Sequence, residues 1–173
     1  MNGSVVFRGK ITVQSIEKTL DVLSPMFCQY QCPKIHFYMD SSGGDIKAAF
    51  LLANFLLKCS DSLIMYNIGH VDSAAILPFL SADNRVAKPT ATFLMHELQF
   101  VYGNDDLEAN GSKEKLKLQS EVCDFISSRT HQSKDHWQRM MLIGDAMSAS
   151  NALDDGIVTD IETIDIPAQS ICI

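Results

Sequence analysis

The chain has 173 residues, 46% of them hydrophobic and 20% charged, with a formal net charge of −7. That balance suits one globular domain, residues 1–173, with a sizeable core, and it argues against nucleic acid or an anionic membrane as partner. No run reaches the ~18 apolar residues of a transmembrane helix, and no basic and then apolar start marks a signal peptide. Cys28, Cys32, Cys59, Cys123 and Cys172 are odd in number and scattered. They read as reduced thiols of a cytoplasmic protein, with no metal site, since no second ligand pair accompanies Cys28-x-x-x-Cys32.

In chain order, Val5–Phe7 reads as a first strand. Thr12 caps a helix whose apolar residues Ile16, Leu20 and Leu23 recur at i, i+4 and i+7. Pro25 and Pro33 bracket a turn region. Lys34–Met39 is a buried strand, followed by the turn Ser41-Ser42-Gly43-Gly44. Asp45 stands at the start of a helix over Ile46–Lys58 that is apolar nearly all round. Leu63–Ile68 is another buried strand and leads into the turn Gly69–Ala75. Ser73–Leu80 reads as a short helix, and Arg85–Ala87 and Thr92–Met95 as short strands. Tyr102–Ser112 is the one clearly polar stretch and reads as a surface loop. Helices follow over Lys113–Arg129, with Leu116, Leu118, Val122, Phe125 and Ile126 as the buried stripe, then over Lys134–Ile143 and Ser148–Leu153. Gly156–Ile164 returns as a strand, and the apolar tail Ile166–Ile173 docks on the body or on a neighbouring subunit.

This alternation predicts an α/β domain with a largely parallel sheet and right-handed crossovers. Functional loops in such sheets gather at the carboxyl ends of strands, where Gly43, Ser73 and His96 fall. A serine hydroxyl attacks only when a base takes its proton, so His96 is the candidate base for Ser73. Main-chain N–H groups of Gly43 and Ala74 are candidate donors to a developing oxyanion. Each piece also has an ordinary reading: Ser73 as a helix N-cap, Gly43-Gly44 as a tight turn, and His36, His70, His131 and His136 as surface or satisfied side chains.

Four motifs in order resemble the proteolytic subunit of the Clp protease, over roughly Val5–Ile161. They are Tyr38-Met39-Asp40-Ser41-Ser42-Gly43-Gly44, then Gly69-x-x-x-Ser73-Ala74-Ala75, then Thr92-Phe93-Leu94-Met95-His96, and finally Met147-Ser148-Ala149-x-x-Ala152-x-x-x-Gly156-Ile157-Val158. The resemblance implies a ClpP-type, crotonase-like fold of repeated ββα units with a protruding handle over about residues 98–130. It implies a serine endopeptidase without cofactor that cuts peptides or unfolded proteins inside a homo-oligomeric ring, a heptamer or stacked rings. Ser73 would be the nucleophile, His96 the base, and Gly43 and Ala74 the oxyanion hole. The chain starts almost at the first strand, so the family's axial loop, which meets an AAA+ unfoldase, is expected to be missing.

The sequence departs from the family pattern at Ser42 for proline, Ala74 for methionine and Glu97-Leu98 for Gln-Pro. At the family's triad aspartate it has Met140. Asp145 is the nearest later acid that could serve instead. Two alternatives stand beside the peptidase: a weak or inactive Clp-like subunit with an assembly or regulatory role, and a crotonase-type acyl-CoA enzyme, which shares the two-turn oxyanion hole.

Overall fold

A computed structural model describes residues 2–30, 32–99 and 108–173, without side chains for 108–112. These residues form an eight-stranded sheet with six helices. Strand β1 (Gly3–Arg8) pairs in parallel with β2 (Ile35–Ser41), and β2 with β3 (Leu63–Asp72). The first half of β3 pairs with β4 (Asn84–Ala87) and its second half with β5 (Thr92–Leu94). β6 (Ala146–Ser148) closes one edge antiparallel to β5, and β7 (Asp160–Ile161) lies beside β4. The tail docks on the body as β8 (Ile171–Cys172), parallel to β1.

Helix α1 (Val13–Cys28) begins at Thr12, whose hydroxyl accepts the Ser15 N–H while Ser15 reaches back to the Thr12 N–H. It runs through Pro25, where the sequence suggested a turn. Proline lacks only one N–H and falls in the last turn, so one helical bond is lost, and its carbonyl still accepts from Gln29 and Tyr30. Asp45 caps α2 (Ile46–Leu57) through bonds from the Lys47 and Ala48 N–H groups at 2.8 and 3.0 Å. The α2 stripe Ala48, Ala49, Leu52, Ala53 and Leu56 is buried, but Leu51 is 56% exposed, so this helix is covered on one face rather than all round.

The main core lies between the sheet and these helices, with Phe7, Phe37, Met39, Phe79, Phe93 and Trp137 buried in it. The opposite sheet face carries a smaller cluster, Val6, Tyr38, Val86 and Ile164. The two clusters follow from strand alternation, since Phe37 and Met39 point one way and Tyr38 the other.

Other boundaries moved. Only Asp160–Ile161 of the expected Gly156–Ile164 strand is extended; Gly156 instead turns at φ +79° with the His131 ring where a Cβ would stand. Of the expected loop over Tyr102–Ser112, residues 102–107 lie outside the described residues, and 108–112 belong to helix α4 (Glu108–Arg129). Val122, Cys123 and Ile126 form the buried part of α4, whereas Leu116 is 71% exposed, because no described part of the body covers that turn. Helix α5 (Lys134–Ile143) has its expected bounds, and α6 (Ala149–Asp154) starts one residue late because Ser148 is its cap.

Buried Arg85 ties the far side together. Its guanidinium donates to the carbonyls of Ile157, Ala82, Arg129 and Gly156 at 2.6–3.1 Å. Burial draws its pKa down to about 10, and the carbonyl dipoles compensate a cation that no carboxylate among the described residues pairs directly.

Candidate active site

β3 extends four residues beyond the apolar run that announced it. Two side chains allow this. Buried Asn67 donates from Nδ2 to Thr92 O at 2.8 Å and accepts the Gly69 N–H at 3.0 Å, filling the gap where β3 changes neighbour from β4 to β5. The Asp40 carboxylate sits 2.6 Å from where a Gly69 Cβ would be, so a larger residue there would displace it. Asp40 also accepts from His70, at 2.6 Å from the ring Nδ1 and 3.2 Å from the main-chain N–H. His70 is thus a satisfied strand residue, as its ordinary reading had it.

The short helix α3 (Ile76–Phe79), entered through a 3-10 turn over Ser73–Ala75, therefore begins at the end of β3, and Ser73 sits at the corner with φ +53°. Among the described residues it is the single non-glycine with positive φ. Such a conformation costs about 1–3 kcal/mol and is retained only where the surroundings impose it. The Ser73 side chain caps no helix, so the N-cap reading fails. Ala74 follows in the first helical turn, where N–H groups have no intrahelical partner.

Gly43, with φ +81°, is wedged against this corner. A Cβ there would stand 2.6 Å from Asp72 O, 2.8 Å from Ser73 Cβ and 2.9 Å from Ala74 N. The two glycine and serine turns hence touch through main chain, and any side chain at 43 would cover the Ala74 N–H. Gly43 itself is buried. Its N–H is engaged at 3.2 Å by Ser41 Oγ, which in turn donates to Gly9 O at 2.7 Å. Gly44 is the exposed member of the pair.

A cleft of about 400 Å³ opens over the corner, lined by Gly44, Ile46, Lys47, Ser73, Ala74 and His96 among others. Below it Ile76, Met95, Leu98, Val122 and Met141 wall an apolar recess. Ser73 and His96 thus share one cavity, and among the described residues no hydrogen bond joins them.

His96 leaves the end of β5, and its Nδ1 contacts Glu97 O at 2.7 Å. Among the described residues no carboxylate lies within 4.0 Å of its ring nitrogens. The last turn of α5 packs here instead: the Glu97 N–H donates to Met141 O at 3.1 Å, and the Gly144 position faces His96 Cβ at 3.8 Å. Asp145 does not swing in. It is exposed and lines a separate cavity with Met140, Asp154 and Asp155, because the left-handed Gly144 turns the chain away after α5. Asp72, next to the serine, is a carboxyl that burial holds above its usual range; His70, the Leu94 N–H and His96 pull the other way. No described cluster of His, Cys, Asp and Glu could hold a metal ion, and no described helix is long and apolar enough to cross a membrane.

A sequence model of the Clp protease family matches residues 2–165. The chain belongs to the Clp protease family. Among its relatives, the ATP-dependent Clp protease proteolytic subunit 2 of Borreliella burgdorferi is 31% identical over 142 residues, 75% of this chain and 67% of that protein. The corresponding subunit of Treponema pallidum is 27% identical over 141 residues, 78% and 70% of the two chains. A solved structure of a ClpP1 mutant from Listeria monocytogenes superposes with a TM-score of 0.80 at 21% identity, covering 93% of this chain and 91% of the other. This Clp-family chain therefore has the ClpP-type α/β fold.

Asn67, Gly69 and Asp72 support the corner; Gly69 heads a sequence motif, but Asn67 and Asp72 carry no role in it. A polar Asn between Tyr66 and Ile68, inside an apolar strand, was the available signal.

Proposed function

We propose that this Clp-family chain is a serine endopeptidase subunit that hydrolyses peptides or unfolded proteins within a homo-oligomeric chamber. One observation carries the reading: the one positive-φ non-glycine among the described residues, Ser73, stands in a cleft with His96 and against the Gly43 turn. Ser73 Oγ attacks the scissile carbonyl, His96 takes its proton through Nε2 and returns it to the leaving amine, and the Ala74 N–H receives the oxyanion. Gly43 is the second donor, its N–H shared between Ser41 Oγ and the oxyanion.

Among the described residues no carboxylate stands behind His96, and the Glu97 carbonyl supplies the tautomer-fixing contact instead. A neutral carbonyl orients the imidazole but stabilises its cation less than a charge does. The activity is accordingly expected to be slow, and loss of the acid in a Ser-His-Asp enzyme can cost ~10⁴ in rate.

The test is fluorophosphonate labelling of the folded chain, with the adduct located by mass spectrometry. An adduct on Ser73, absent in Ser73→Ala, supports the peptidase; no adduct under folding conditions overturns it. Light scattering tests the chamber, which a clean monomer would contradict.

A further inference from the structure

We propose that Lys47 is a specificity-determining residue, selecting peptides with a carboxylate beside the scissile bond; this rests on the peptidase reading of the Ser73 cleft. Lys47 is the only lysine or arginine among the described residues lining the cleft. Its ammonium group pairs with Glu114 of α4 at 3.5 Å, and the two side chains are 74% and 62% exposed. The pair spans from α2 to α4, and so long and exposed a contact costs little to exchange. A substrate carboxylate entering the cleft takes the place of Glu114 on the ammonium.

Asp45 also lines the cleft and could in principle favour a basic peptide. Its Oδ1 is committed to two main-chain N–H groups at 2.8 and 3.0 Å, and the positive end of α2 offsets its charge. The available charge at this end of the cleft is therefore the ammonium of Lys47. Attack by Ser73 fixes the scissile bond in the cleft, and Lys47 reads the charge of a residue near it.

The test uses the full chain as it assembles and short fluorogenic peptides sharing one apolar residue, with Glu, Gln or Lys scanned through the flanking positions. At one position, kcat/KM for Glu should exceed that for Gln by about two- to fivefold, the range an exposed ion pair supplies. Lys should fall below Gln, and the preference should fade at raised salt. Lys47→Glu should reverse the order; it places an acid in the first turn of α2, where a helix tolerates it well. Glu114→Gln should widen the wild-type preference. Binding of the same peptides to Ser73→Ala, read by fluorescence anisotropy, separates this inference from the chemistry. Equal binding of Glu and Lys peptides, or an order unchanged by Lys47→Glu, overturns the role of Lys47 even if the wild type cleaves. Tighter binding of the Glu peptide with no cleavage by the wild type sustains Lys47 and removes the peptidase.

Discussion

The two halves of the cleft are held by different means. On the nucleophile side, Gly43, Asp72, Ser73 and Ala74 meet main chain to main chain, at distances that leave no room for one added carbon. On the base side, His96 rests on a single carbonyl contact and the last turn of α5. The first half can store the strain of a positive-φ serine because its neighbours over-determine it. The second half fixes where the histidine backbone goes but, among the described residues, puts no carboxylate against its ring. The difference teaches that a fold can preserve a nucleophile corner intact while the electrostatic support of its base is open to change.

The largest effect should come from breaking the tight half. Gly43→Ala puts a Cβ within 3 Å of three main-chain or Cβ atoms and in a left-handed conformation. Fluorophosphonate labelling of Ser73 should slow by about 10²–10³, the scale of losing an oxyanion donor. A labelling rate within a few-fold of wild type would mean that the two turns do not act together. Next comes the loose half. Gly144→Asp puts a carboxylate at the end of α5 that abuts His96, its Cβ site 3.8 Å from the His96 Cβ and its backbone left-handed, which aspartate tolerates. Peptidase kcat should rise at least about tenfold, against a ceiling of ~10⁴. An unchanged kcat would show that the Glu97 carbonyl and the helix end already supply what the acid would add.

Those two positions also differ in how far they could be read from the chain alone. Local signals carried well: Thr12 and Asp45 cap the helices expected of them, and Lys134–Ile143 is a helix with the expected bounds. Ser73, His96 and the Gly43 turn were placed by motif and do converge. What failed to show was long-range. Gly69-His70 looks like a turn because the reason it stays extended, the Asp40 carboxylate, lies on another strand. The φ of Ser73 is imposed by contacts that no window of residues contains. The engagement of the Gly43 N–H by Ser41 and the Glu97 carbonyl at His96 are likewise main-chain facts, invisible to side-chain patterns.

The hinge between the two halves is Asn67. Its side chain bonds Thr92 O and the Gly69 N–H, so it braces both the strand that delivers His96 and the strand that delivers Ser73. Asn67→Leu takes the partner from both groups at a part-buried place. Stability should fall by about 1–3 kcal/mol, read by urea unfolding. A variant as stable as wild type would mean that β5 is held by its ladder to β3 alone.

The smallest effect concerns Asp72, on the corner itself. Burial raises its carboxyl pKa in the folded chain, so folding disfavours the ionised form. The sign follows from linkage. Below the unfolded pKa the group is protonated in both states and folding bears no penalty. As pH rises through the unfolded and then the folded pKa, that relative stability is lost, and the penalty is complete above the folded value. Asp72→Asn removes the titration while keeping an acceptor for the Leu94 N–H. Its melting temperature relative to wild type should therefore climb between acid and neutral pH and then level. A flat difference across that range would show that His70 and His96 already neutralise the carboxylate, and the corner would then carry electrostatic support that the base side lacks.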